Sequence, residues 1–283
     1  YDSIFVARIH NALSIFIAWL IKRIFFTNYS IVSPSLLGSR MLSLINRSDA
    51  DIVHLHWVQN ELLSVEQIGL INKPVVWTLH DVWPISGCSH FPGRVPPAVP
   101  FGSESFISQL LSSFGSQLLD NLMFLRKHSS WKEKIFFVCP SRWMYSLATS
   151  SPFRSKHSIH VIPNTIDSEF WDPCDSRTAK EELQLLAYSF VFSLVIQNPD
   201  DPCKGFSSFV EACTILHHSS PNLNICFLLV GDLPCQFSLP FDFKHYGSLR
   251  YNGVKKIICA SDCFLLPSLF ENLPYVAIES LMC

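Results

Sequence analysis

Charge is scarce in this chain. Asp, Glu, Lys and Arg make up only 16% of its 283 residues, against a usual share of about 25%, and that excludes a disordered, charge-solvated polypeptide. No strong excess of one sign is present either: the net charge of −2 gives no support for a nucleic-acid reader, which carries a basic face. The ten cysteines include no CxxC pair and no metal-ligand spacing, and nothing reads as a secretory signal peptide. Reduced thiols of a cytosolic protein are therefore expected, and disulfides are not. No apolar run is long enough to span a bilayer: the most apolar early stretch, Ala12 to Ile21, is ten residues long, whereas a span needs about 20. That stretch reads as a core helix of a first domain, with a membrane-surface helix as the alternative. Short internal repeats are absent, and the opening Tyr1 to Phe26 offers a helical period without a preceding strand or a glycine-rich turn.

What is present is an alternation of short apolar runs and amphipathic stretches. Strand patterns lie at Asp51–Trp57, Val75–Leu79, Ile135–Cys139 and His160–Ile162, with helical patterns near Glu61–Leu70 and Phe106–Lys127 and another after Ser141. Pro84 to Ser105, rich in Pro, Gly and Ser, reads as a long loop, and long loops in compact domains are often functional. The Pro163-Asn164-Thr165-Ile166-Asp167 turn is the candidate domain junction. Beyond it the alternation resumes, with strands at Phe190–Ile196, Asn224–Val230, His245–Gly247 and Cys263–Leu266 and helices at Gly205–His217 and Val254–Ala260. Two runs of βα units argue for an α/β protein of two doubly wound domains, residues 1–167 and 168–283. The halves also differ in charge. Tyr1 to Ser158 holds 14 Lys+Arg against 9 Asp+Glu, and Ile159 to Cys283 holds 7 against 14.

The polar motifs fall where such folds bind ligands, at the carboxyl ends of strands. His80-Asp81, Ser141-Arg142, Asn164, Lys204-Gly205, Gly231-Asp232 and Glu271 all follow strands or begin helices. The last sixteen residues concentrate the signal: Glu271 lies in a polar turn after a strand, and Glu279 follows on a helix opened by Pro274, with seven residues between the two carboxylates. A helix start of this kind favours phosphate, so the segment reads as a nucleotide site. A carboxylate pair could instead suggest a glycosidase, but nothing in the sequence fixes the separation that chemistry needs. His54 and His56 share a strand face without a third metal ligand and read as core or cleft-wall residues. Trp57, Trp77 and Trp83 read as packing residues, Trp83 alone being also a candidate sugar platform.

Seven ordered segments carry a family resemblance: DIVHLHW (51–57), VVWTLHDVWPISG (75–87), PSRW (140–143), VIPNTID (161–167), KGF (204–206), LLVGD (228–232) and SDCFLLPSLFENLPYVAIESL (261–281). With them the chain resembles the retaining glycosyltransferases of family 4, and within that family the bacterial colanic-acid and exopolysaccharide enzymes. The resemblance implies a GT-B fold, two Rossmann-like domains facing a cleft, with the acceptor side in the first and the nucleotide sugar in the second. It implies a hexosyl transfer from a UDP- or GDP-linked sugar to a lipid-linked or oligosaccharide acceptor, in the cytoplasm or at the inner membrane face, without a cofactor or a metal. Carried over by position, Glu271 would accept hydrogen bonds from donor-sugar hydroxyls, the amides of Asn272 and Leu273 would meet the diphosphate, Glu279 would hold the ribose, Lys204 would neutralise the diphosphate, and His80 would contact the sugar near its reacting carbon. Where many relatives carry an arginine ahead of the Lys-Gly pair, this sequence has Gln197 and Asn198. Against the family pattern both domains are expected to be incomplete, the first lacking its opening strand and glycine-rich loop and the second its closing strand and helix. A non-catalytic nucleotide-sugar binder and a GT-B epimerase are the alternative readings.

Overall fold

The computed structural model describes residues 12–13, 15–21, 23–24, 32–58, 61–91, 115–131, 135–234 and 237–283. The chain divides into two compact units, Tyr1–Pro163 and Asn164–Cys283. Parts of the expected opening helix, of the loop at 84–105 and of the helix at 106–127 lie outside the described residues.

Unit 1 carries a four-stranded parallel sheet in the order β1 (Val53–His56), β2 (Val75–Thr78), β3 (Ile135–Cys139) and β4 (Ser158–Val161). Its described helices are α1 (Met41–Arg47), α2 (Val65–Gly69), α3 (Ser116–Ser130) and α4 (Arg142–Ser150). The core is aromatic. Trp77, Trp83, Trp131, Phe137 and Phe153 are all essentially inaccessible, and the rings of Trp77 and Trp131 lie 5.3 Å apart. Burying an indole requires a partner for its N–H. Trp83 Nε1 donates to the Ser33 carbonyl at 2.7 Å, and Trp131 Nε1 to that of Val65 at 2.9 Å.

Two sequence expectations for this unit change. The helix expected from Glu61 starts only at Val65, because Glu61 sits at φ 60° with its buried carboxylate accepting the amides of Leu36 (2.8 Å) and Leu37 (3.1 Å). Ser64 and Gln67 then start α2 with a reciprocal capping box. The apolar stretch near the start is helical where described, but it is not a core helix: Leu13, Ile15, Phe16, Trp19, Leu20 and Ile24 are all exposed, and Ile21 packs against the core.

Unit 2 builds a second parallel sheet from β5 (Phe190–Ile196), β6 (Ile225–Gly231), β7 (Asp242–His245) and β8 (Cys263–Leu265), in the order β7-β6-β5-β8. Its helices are α5 (Ser176–Glu182), α6 (Phe206–Ser219), α7 (Tyr251–Cys259) and α8 (Tyr275–Met282). Every residue of β6 is buried, as expected of an inner parallel strand covered on both faces. Alternate side chains supply two separate cores: Cys226, Leu228 and Val230 join Leu185, Val191 and Ile257 on one face, while Ile225, Phe227 and Leu229 join Leu194, Phe206 and Phe209 on the other. The segment before α5 and the end of α7 bring Cys174 and Cys259 together, with the Cα atoms 6.0 Å apart. The expectation of thiols alone rested on compartment and could not see which cysteines the fold brings together.

Candidate functional site

The strand order of unit 2 places its site. Chain connection runs outward from β5 through β6 to β7 and then returns to β8 on the other side of β5, so the crevice at the carboxyl ends of β5 and β8 is a topological switch point, where open α/β sheets bind ligands. Lys204 lies on the loop that leaves β5 and Glu271 on the loop that leaves β8. Their side chains meet, Lys204 Nζ to Glu271 Oε1, at 2.9 Å. The Leu269 amide also donates to the Cys203 carbonyl at 2.8 Å. Between these two links stands Gly205 at φ 67°, capping the start of α6. A Cβ here would run into the Pro267 carbonyl, so glycine alone fits, by backbone conformation and by space.

Sixty-seven residues separate Lys204 and Glu271 in sequence, and the loops that carry them are locked locally. Asp201 accepts the Cys203 amide at 3.0 Å and starts the 3₁₀ turn bearing Lys204. Asn164 donates its side-chain amide to the Leu273 carbonyl at 3.1 Å, pinning the turn that holds Glu271, Asn272 and Leu273. Glu279, the fifth residue of α8, is only 8% exposed. Burial alone raises its carboxyl above the ordinary range, and it forms no ion pair among the described residues. A buried carboxylate without a cation is costly.

In unit 1, His80 follows β2 and is half-buried. Its Nε2 lies 2.9 Å from Nδ1 of His56, at the end of the neighbouring strand. His54, one step back on the same face of β1, places Nε2 2.9 Å from the Thr78 hydroxyl and its ring 4.1 Å from that of His56. His54 and His56 are exposed, not core residues. Trp57 is also exposed, at 43%, with φ 45°, so it is not the packing residue expected, whereas Trp77 and Trp83 are. Among the described residues no group of three or more His, Cys, Asp or Glu side chains is arranged to hold a metal ion.

The rest of the segment after His80 is a buried polar knot. Asp81 accepts the Trp83 amide at 2.9 Å with one oxygen and meets His90 Nδ1 at 2.7 Å with the other; His90 Nε2 is 2.8 Å from Ser33 Oγ. The order Ser-His-Asp has the connectivity of a hydrolytic relay, but Ser33 is 4% and His90 1% exposed, so no substrate reaches it and the relay is a structural lock. Below it the fully buried Lys127 ammonium donates to the carbonyls of Trp83, Ser86 (3.2 Å) and Gly87 (2.6 Å) and stands 3.6 Å from the centre of the Trp83 ring. In the sequence alone Lys127 marks only the end of a helical pattern.

Solved structures share this architecture. An Anabaena protein, HepE, in complex with UDP-glucose aligns with a TM-score of 0.55 at 14% identity, over 86% of this chain and 60% of that one. Sucrose-phosphate synthase from Thermosynechococcus elongatus aligns at 0.52 and 14%, over 85% and 56%. The fold is GT-B. By sequence, the chain is 25% identical over 267 residues to UDP-Gal:alpha-D-GlcNAc-diphosphoundecaprenol alpha-1,3-galactosyltransferase of Escherichia coli, covering 89% of this chain and 61% of that protein. The sequence similarity to that galactosyltransferase is distant, and the likeness to the solved structures is one of fold. It spans about three-fifths of the length of the relatives it matches, 61% of the galactosyltransferase and 60% of HepE. No family model matches it.

Proposed function

We propose that the chain transfers a hexosyl group from a UDP- or GDP-linked sugar to a lipid-linked or oligosaccharide acceptor, with retention at the anomeric carbon. The observation that carries the reading is the Lys204–Glu271 pair at the β5/β8 switch point, with the uncompensated Glu279 on the helix that follows. In this reading Lys204 faces the diphosphate and offsets the charge that develops as the glycosidic C–O bond breaks, the main electrostatic task of such a reaction. Glu271 takes sugar hydroxyls, the amides of Asn272 and Leu273 meet the diphosphate, and Glu279 receives the ribose hydroxyls. His80 contacts the sugar near the reacting carbon. The acceptor oxygen forms its bond on the face the phosphate leaves, and the departing phosphate oxygen takes the acceptor's proton, so no protein nucleophile is required.

The test is a product assay on the full chain with UDP-galactose, UDP-glucose and GDP-mannose, each with and without a polyprenyl diphosphate-linked sugar as acceptor. Acceptor-dependent release of UDP or GDP is expected. A changed sugar nucleotide formed without an acceptor would establish an epimerase instead, and binding without any product would leave a nucleotide-sugar binder.

The lipid-linked choice of acceptor draws on the galactosyltransferase relative, whose substrate is a diphosphoundecaprenol, and on the exposed apolar residues of the helical segment at 12–24, including Phe16 and Trp19. The excess of basic residues in the first half suits an anionic bilayer. No described helix is long and apolar enough to cross a membrane, so the contact would be peripheral. Cosedimentation with phosphatidylglycerol vesicles should be strong at low salt, weaken with added salt, and fall again on Trp19→Ala. Binding indifferent to both changes would refute it.

A further inference from the structure

The histidine pair in unit 1 defines how His80 can act. Two imidazole nitrogens 2.9 Å apart, His56 Nδ1 and His80 Nε2, share one proton: either ring can supply it, and protonating both nitrogens breaks the bond and sets two cations side by side. His80 Nε2 is thereby committed to a protein partner, which leaves Nδ1 as the ring atom free to meet a ligand. The register of the sheet explains the pairing. His56 lies opposite Thr78, two residues before His80, so the end of β1 holds an imidazole beside the residues that emerge from β2.

We propose that His56 is a positioning residue for His80: through the Nδ1–Nε2 hydrogen bond it fixes the orientation of the sugar-facing imidazole. This rests on the proposed role of His80 at the donor sugar. The surrounding groups agree with it. His80 is held below the ordinary histidine value first by burial and then by His56, with Asp81 opposing and His54 adding to the effect; His54 is also lowered, by partial burial and then by His56. Asp81 is engaged by the Trp83 amide and His90 instead, one on each oxygen.

The choice of ring atom makes the test specific. The amide of Asn occupies the place of Nδ1 in His, whereas that of Gln reaches the place of Nε2. His56→Asn should therefore keep a hydrogen bond to His80, while His56→Gln and His56→Ala lose it. In the full chain, the ¹⁵N imidazole shifts of His80 read the hydrogen bond at Nε2, and turnover of UDP-galactose over a pH series reads the consequence. The Asn variant should keep the wild-type His80 shifts and most of kcat. Gln and Ala should shift the His80 Nε2 resonance and lower kcat about tenfold with KM little changed, the scale of one orienting hydrogen bond. Replacing His56 removes one of the groups that lower His80, so the acid limb of the Asn variant moves to higher pH. His56 is exposed, so these variants should fold. His80 shifts that stay unchanged in all three variants, or equal kcat for Asn and Gln, would overturn the proposal whether or not the chain is a transferase. His80 shifts that respond to Ala and not to Asn, without turnover of any nucleotide sugar, would uphold the positioning and remove the donor reading.

Discussion

Glu279→Gln should make the ligand-free protein more stable and its nucleotide binding weaker. The side chain is buried without a cation, and burial alone raises its carboxyl above the ordinary value. A carboxyl raised in the folded state stabilises the fold below its unfolded value and loses that contribution as pH rises through the folded value. At neutral pH the wild type therefore carries an unfavourable buried charge, and the isosteric amide removes it. The melting temperature of Glu279→Gln should exceed that of wild type at pH 7.5, and the gap should close as pH falls below the titration of Glu279. Binding goes the other way. Hydrogen bonds from ribose hydroxyls to a carboxylate are charge-assisted, and their loss should cost roughly 1.5–3 kcal/mol, about ten- to more than a hundredfold in Kd. A variant that loses stability, or that binds nucleotide as well as wild type, would show Glu279 to be an ordinary structural side chain.

Lys127→Met should destabilise unit 1 severely. Methionine matches the stem of the lysine but donates nothing, so the carbonyls of Trp83, Ser86 and Gly87 lose a shared donor inside the core. Unsatisfied buried acceptors cost about 1–3 kcal/mol each, and a loss of about 3 kcal/mol lowers Tm by roughly 6–12 °C in a unit of this size. The pH dependence carries a second signature. Burial pushes the Lys127 ammonium down to about 7 from 10.5. Between those values the unfolded chain holds a proton that the folded chain does not, so wild-type stability gains as pH rises across the window and loses that gain as pH falls. The Met variant should lack this gain. Urea unfolding followed by the tryptophans of unit 1 at pH 7 and pH 9.5 measures both effects; an unchanged midpoint would show that the knot is held by other contacts.

Much of the fold was written in local sequence. The buried strands β3, β5 and β6 are continuous apolar runs, which parallel sheets covered on both faces require, and their limits fall within a residue or so of the runs. Elements with little to bury were harder to see. α5, of sequence SRTAKEE, buries only Ala179 and shows no apolar stripe, and α1, two turns long, packs only the partly buried Met41, Leu42 and Ile45 against the core. The candidate site is legible only as residue types: Lys204, Glu271, Glu279 and His80 each stand in segments that carry the resemblance. What the sequence could not supply was pairing. The Lys204–Glu271 contact depends on the return of β8 to the side of β5, the His56–His80 bond on the register of two strands, and the Lys127 cage on a helix packing beneath a loop. The segment DVWPISG after His80 shows the same limit from the other side. Its residues carried the family resemblance, yet Asp81 and Trp83 serve to bury and lock the loop.

Isothermal titration of UDP and GDP into the full chain, repeated with Lys204→Met and Glu279→Gln, tests the donor site most directly. One of the two nucleotides should bind wild type saturably at one site, with each variant weakening it about tenfold or more, the cost of a charge-assisted contact. Binding of neither nucleotide, or binding that both variants leave unchanged, would contradict the placement of the nucleotide diphosphate at the β5/β8 switch point.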